Sequence, residues 1–197
     1  MTRQLSLLGG GAPTLEPVEV ARHQLDDRCW VDVGRGWLSG ADALFDELAA
    51  VLPWKHRSRQ MFGELVPEPR LTSAVPFGSS ELPPVVAEIA ERLSERYRDD
   101  LRHSWANWYR DGDDAVAWHA DRIGRTQVDP LVAILSLGGP RPFRLRPMGG
   151  GASIRFDLHS GDLFVMGGSC QHRWQHCIPR QRGVGGRISL TFRATSD

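Results

Sequence analysis

The chain has 197 residues, 41% hydrophobic and 24% charged, with no apolar run near the twenty or so residues of a membrane span. That excludes a disordered tail and a transmembrane helix, and leaves room for one domain with a full core. Net charge is zero, which by itself argues against a polyanion partner, but residues 1–118 hold 13 basic and 19 acidic side chains and residues 119–197 hold 11 and 5.

Residues 1–23 are interrupted by Gly and Pro and read as a loosely held arm, with no convincing signal peptide. Residues 24–197 read as a single domain. Trp30 to Trp37 suggests a short strand and turn. Ser39-Gly40-Ala41-Asp42 has capping-box spacing ahead of Leu44, Phe45, Leu48 and Leu52 at helical intervals, and Pro53 should end that helix. Pro83-Pro84 open a second helix with Val85, Val86, Ile89, Ala90, Leu93 and Tyr97 on one stripe. The portion from about 39 to 100 is therefore expected to be helical.

After Asp100 the pattern changes to short β-prone runs between turn clusters. These runs are 104–109, 116–121, 131–137, 143–146, 153–157, 163–166, 173–178 and 187–193. Eight short strands with such punctuation point to a sandwich or jelly roll over about 104–193. The fold class is α+β, mainly β, with the N-terminal helices packed on the β-domain. Three cysteines, Cys29, Cys170 and Cys177, are odd in number and unclustered, as in a reducing, cytoplasmic setting.

Three residue sets carry chemistry. In Trp118-His119-Ala120-Asp121, side chains two apart on a strand share a face, so His119 and Asp121 can meet one metal ion. His176, on a later strand, completes two histidines and one carboxylate, a set that leaves three adjacent coordination positions open, as in non-haem Fe(II) oxygenases. A lone His-x-Asp is common by chance, and His23, His56, His103 and His159 read as surface or satisfied core residues. The third set is Arg187-Ile188-Ser189-Leu190-Thr191-Phe192-Arg193. It alternates strictly, with Arg187, Ser189, Thr191 and Arg193 on one face. Two inward arginines are costly without anions, and a small dicarboxylate would satisfy both.

The order His119-x-Asp121, His176, then Arg187-x-Ser-x-Thr-x-Arg193 resembles the AlkB family of Fe(II)/2-oxoglutarate dioxygenases. Asn107-Trp-Tyr109, Leu135-Ser-Leu-Gly138, Gly161-Asp162-Leu-Phe-Val-Met166 and Pro69-Arg70-Leu71-Thr72 add to the resemblance, which spans about residues 53–193. It implies a double-stranded β-helix of jelly-roll type. It also implies iron held by His119, Asp121 and His176, and 2-oxoglutarate held by Arg187 and Arg193 with Asn107 and Tyr109, beside Ser189 and Thr191. With dioxygen as the third reagent, the implied activity is oxidative dealkylation of N-alkylated bases in DNA or RNA, releasing succinate, carbon dioxide and formaldehyde.

The chain departs from the family pattern at Ser189, where Asn is usual, and at Ser73-Ala74-Val75-Pro76-Phe77-Gly78, where an aromatic-Gly segment often follows Pro-Arg-Leu-Thr. Arg70, Arg122 and Arg141 are candidate phosphate or base contacts, with Phe77 and Trp174 as stacking rings for a flipped or single-stranded base in a monomeric enzyme. Arg57, Arg59, Arg125 and Phe62 are further candidates. Competing readings keep the oxygenase chemistry on a protein or small molecule, or keep the fold in a non-catalytic binder of damaged nucleic acid. A zinc hydrolase is disfavoured by the paired arginines, because hydrolysis needs no dicarboxylate.

Overall fold

The computed structural model describes residues 11–61, 63–121 and 128–194. Within them the N-terminal stretch is not the loose arm that its Gly and Pro content suggests. Thr14–Leu15 (β1) pairs with Leu38–Ser39 (β4), and Val20–Gln24 (β2) pairs with Cys29–Gly34 (β3). Pairing at a sheet edge uses backbone groups and needs no hydrophobic period, so the sequence pattern does not show it. Side chains lock β2 in place. Arg22 forks onto the buried Asp32 at 2.8 and 3.0 Å and lies over the Trp30 ring, and the Tyr97 hydroxyl donates to the same carboxylate at 3.1 Å.

The first helix, α1 (Ala41–Val51), stops where expected, because Leu52, the residue before Pro53, is extended. Its start differs from expectation. Gly40 is the N-cap at φ 62, and no side chain caps the helix. Ser39 donates instead to the Thr14 carbonyl at 3.3 Å. A Cβ at Gly40 would lie 2.6 Å from the Gly11 carbonyl oxygen, so both the angle and the space demand glycine.

The segment expected to be helical between 39 and 100 contains a hairpin, β5 (Lys55–Met61) and β6 (Glu64–Ala74). β5 reads Lys-His-Arg-Ser-Arg-Gln-Met and has no apolar alternation, and β6 carries Pro67 and Pro69. Such strands are tolerated at the rim of a sheet, where β5 is the outermost strand. The second helix, α2 (Pro84–Tyr97), buries the predicted stripe.

The remaining strands are β7 (His103–Tyr109), β8 (Val116–His119), β9 (Val132–Gly138), β10 (Arg141–Pro147), β11 (Ile154–Leu158), β12 (Leu163–Gly168), β13 (Trp174–Ile178) and β14 (Arg187–Arg193). A four-residue helix, α3 (Cys170–Arg173), leads into β13. The larger sheet has the order β2-β3-β12-β9-β14-β7-β6-β5, and the smaller has β11-β10-β13-β8. The two face one another as a jelly roll.

Two cores follow from strand alternation. Leu135, Val165, Leu190 and Phe192 on the outer face of the larger sheet pack under Leu44, Leu48, Val86 and Ile89 of the helices. Val31, Ile134 and Phe164 of the larger sheet meet Phe143, Leu145 and Ile178 of the smaller in the space between the sheets. β14 serves both. Ile188, Leu190 and Phe192 enter the first core, so Arg187, Ser189, Thr191 and Arg193 point toward the second. Cys29 and Cys170, unclustered in sequence, come within thiol hydrogen-bonding reach, and all three cysteines are free and buried. No described helix is long and apolar enough to cross a membrane.

Candidate functional site

β8 is the edge strand of the smaller sheet, and β13 sets His176 directly opposite its His119. Cross-strand partners share a face, so the two imidazoles meet with ring centroids 4.2 Å apart. Asp121, expected on the same strand, lies two residues past its end, because the strand stops at His119. It still reaches the pair. Asp121 Oδ1 is 3.7 Å from His119 Nε2 and 3.9 Å from His176 Nε2.

The protonation states suit a metal. His119 Nδ1 lies 2.8 Å from the Ala117 carbonyl oxygen. A carbonyl only accepts, so Nδ1 carries the proton and Nε2 presents a lone pair to the centre. Burial pushes His176 down to about 4, so its ring is neutral at neutral pH. Burial alone would raise the Asp121 carboxyl, but His176, protonated in the acid range where that carboxyl titrates, and Arg193 outweigh it and hold the group below the usual carboxylate range. Ligands about 2.1 Å from a common centre sit roughly 3 Å apart when adjacent, so a small contraction of the observed spacing closes on one ion. Phe143 stacks on His176 at 5.2 Å and packs in turn on Phe164, which backs the imidazole with apolar surface.

Arg187 supplies the second half of the site. It is 0% exposed. Its Nε donates to Ser136 Oγ at 2.8 Å, and both terminal nitrogens lack a partner. Burial lowers its pKa to about 10, so it stays charged at neutral pH. A buried guanidinium with two free donors fits a carboxylate that can accept both. Tyr109 stands opposite it on β7, and Ser189 and Thr191 lie buried on β14 beside it. Asn107 faces the same way, and its Oδ1 accepts from Arg70 Nε at 3.1 Å. Arg193, expected to hold the dicarboxylate with Arg187, donates through one terminal nitrogen to Asp121 Oδ2 at 2.8 Å. It answers the one metal-site carboxylate within reach.

The expected substrate contacts separate. Arg70 belongs to the site, paired with Glu68 at 3.0 Å and bonded to Asn107. Arg141 does not. It is 1% exposed and donates to the carbonyls of Asp111, Asp114 and Pro179 at 2.7–2.9 Å. Its terminal nitrogens are spent on those three carbonyls, and it shares the inward face of β10 with Phe143 and Leu145. Trp174 is buried between the sheets with its Nε1 on Asp26 at 2.7 Å, and Phe77 packs against the core under the helices, on the far face of the larger sheet. Arg122 and Arg125 lie outside the described residues, as does Phe62.

Arg141→Met should destabilise the protein by about 3 kcal/mol, because three carbonyls, that of Asp114 buried, lose their donor. The KM for 2-oxoglutarate should stay unchanged. Urea unfolding and succinate kinetics check the two halves.

Sequence reasoning missed two features. Gln171 on α3 accepts from the Asp121 backbone N–H at 3.0 Å. Trp105 lies two residues before Asn107, a period-2 signal that could have placed it on the site face, and Arg57 of β5 lies over its ring.

Against known proteins, residues 67–193 match the model of the 2OG-Fe(II) oxygenase superfamily. The chain is 30% identical over 177 residues to alpha-ketoglutarate-dependent dioxygenase alkB homolog 3 of Mus musculus, covering 79% of this chain and 62% of that protein. It is 29% identical over 190 residues to DNA oxidative demethylase ALKBH2 of Arabidopsis thaliana, covering 76% and 60%. The chain thus spans about three fifths of the length of these curated relatives. The solved structure of OsALKBH1 superposes with a TM-score of 0.60 at 16% identity, over 89% of this chain and 100% of that one.

Proposed function

Because the chain belongs to the AlkB family of the 2OG-Fe(II) oxygenase superfamily, we propose that it removes alkyl groups oxidatively from N-alkylated bases of DNA or RNA. The observation that carries this reading is the juxtaposition of His119, Asp121 and His176 with a buried arginine, Arg187, that has two unanswered donors. In this reading His119, Asp121 and His176 hold iron, and Arg187 grips a carboxylate of 2-oxoglutarate. Iron with 2-oxoglutarate and dioxygen supplies the oxidation of a C–H bond to C–OH, with succinate and carbon dioxide as co-products. A hydroxylated N-methyl group then releases formaldehyde and leaves the free base.

The chain's own residues do the positioning. Arg193 neutralises and aims Asp121. Asn107 and Tyr109 lie on β7 opposite Ser189 and Arg187, and Phe143 and Phe164 keep water from the back of the metal site.

Support for a nucleic-acid substrate comes from the relatives and from the rim. The DNA demethylase named above is a relative over most of this chain. β5 brings Lys55, His56 and Arg57 to the outermost edge of the larger sheet, beside Trp105 on the site face. Cations along an edge with an adjacent aromatic suit a single strand and its bases.

Incubation of the purified protein with Fe(II), ascorbate, 2-oxoglutarate and oligonucleotides bearing single methylated bases tests the reading. The expected result is stoichiometric formaldehyde and a mass loss of one CH2 from a subset of lesions. Succinate formed on a protein or small molecule, with every oligonucleotide untouched, would overturn the nucleic-acid part and leave the oxygenase chemistry standing.

A further inference from the structure

Asp121 is the metal-site residue with the least strand support. β8 ends at His119, and the ladder to β13 makes no pair at Asp121. Its backbone N–H is met by a side chain, Gln171 Oε1, at 3.0 Å. An amide N–H can only donate, so the Gln171 oxygen must face it, which fixes the orientation of that side-chain amide. The other end, Nε2, points at Met166 Sδ at 3.5 Å, a weak acceptor. Gln171 is 4% exposed. A buried glutamine therefore commits its strong acceptor to the backbone of the metal site and satisfies its donors poorly.

The element that carries Gln171 is itself anchored. The Ser169 N–H donates to the Arg28 carbonyl at 3.0 Å, Ser169 Oγ donates to Asp129 at 3.0 Å, and Cys170 Sγ donates to the Trp30 carbonyl at 3.4 Å. α3 then runs straight into β13, which carries His176. Asp121 and His176 come from separate parts of the chain, and α3 bonds to the backbone of the first and leads into the strand that carries the second.

We infer that Gln171 is a positioning residue of the metal centre. It ties the main chain of Asp121 to the turn that leads into His176, and so sets the spacing of two ligands before an ion arrives. Arg193 aims the carboxylate; Gln171 places the backbone from which that carboxylate hangs. The inference rests on the iron reading of the triad.

Cobalt(II), titrated calorimetrically into the metal-free full chain, tests it without any substrate. Q171M keeps length and apolar packing but removes the acceptor, and its Co(II) dissociation constant should rise about tenfold, the lower end for loss of a group that orients a ligand. Q171E presents an acceptor at the same reach and should recover the affinity. Q171N is one methylene too short and should behave as Q171M does. It takes that variant's place if Q171M fails to fold. Wild-type affinity in Q171M or Q171N, or a loss in Q171E equal to theirs, overturns the proposal. Absence of Co(II) binding by the wild type is a separate result that overturns the iron reading and this inference with it.

Discussion

Arg187→Met should abolish turnover and, at the same time, stabilise the protein when neither metal nor cosubstrate is present. The wild-type side chain is a fully buried cation whose only hydrogen bond among the described residues is Nε to Ser136, with its terminal nitrogens unanswered there. Methionine of similar length removes that desolvation cost and keeps most of the packing. The gain should be about 1–2 kcal/mol, which for a domain of this size is about 3–6 °C in thermal midpoint. The order reverses on loading. Saturating 2-oxoglutarate, added to protein already loaded with Mn(II), should raise the wild-type midpoint further and leave that of the Mn(II)-loaded variant unmoved, because only a state that binds the ligand is stabilised by it. Thermal melts with and without the two additives, alongside succinate formation, check every part. A lower midpoint for the metal-free variant would show that Arg187 is satisfied in the free protein.

Asp121→Ala should be the most damaging change to the metal centre. It removes one of the three proposed ligands and also leaves Arg193 beside two imidazoles without the carboxylate it now meets. Metal affinity should fall by more than about 100-fold, beyond what loss of an outer partner costs, and turnover should disappear. Asp121→Asn separates the two roles. Its amide oxygen can still accept from Arg193, so the local structure should persist while the metal affinity is lost with the charge. Near-UV circular dichroism and Mn(II) or Co(II) titration of both variants give the comparison. Metal binding by Asp121→Asn close to that of the wild type would show that the carboxylate serves Arg193 and not an ion.

The strands of the β-domain were legible because alternation survives in them. Arg187 to Arg193 reads off its own two faces, and Val132 to Leu135 is apolar on both, as a strand between two cores must be. The β5–β6 hairpin was not legible, because an edge strand draws its order from backbone bonds and presents a polar face to solvent. The meeting of His119, Asp121 and His176 was legible by residue type and order, but the route by which Asp121 joins them was not. Same-face alternation was the expected reason. The observed one is a loop residue held by Gln171 and Arg193.

Arginine was the hardest residue to read. Arg141 and Arg187 are both buried on strands, yet the first is answered by three carbonyls and the second by none at its terminal nitrogens. Composition cannot separate a structural guanidinium from one that waits for a ligand. The partners that separate Arg141 from Arg187 are visible only in three dimensions.

His119, Asp121 and His176 belong to the smaller sheet or its edge, while Arg187, Asn107 and Tyr109 belong to the larger. A cosubstrate gripped at both ends would therefore act as a rivet through the sandwich, and the cohesion of the two layers would rise and fall with each catalytic cycle. The Asp121–Arg193 bridge is a strut that persists across the gap when the rivet is out. Amide exchange in β8, the strand at the open border of the smaller sheet, would then serve as a gauge of how fully the molecule is charged with its reagents.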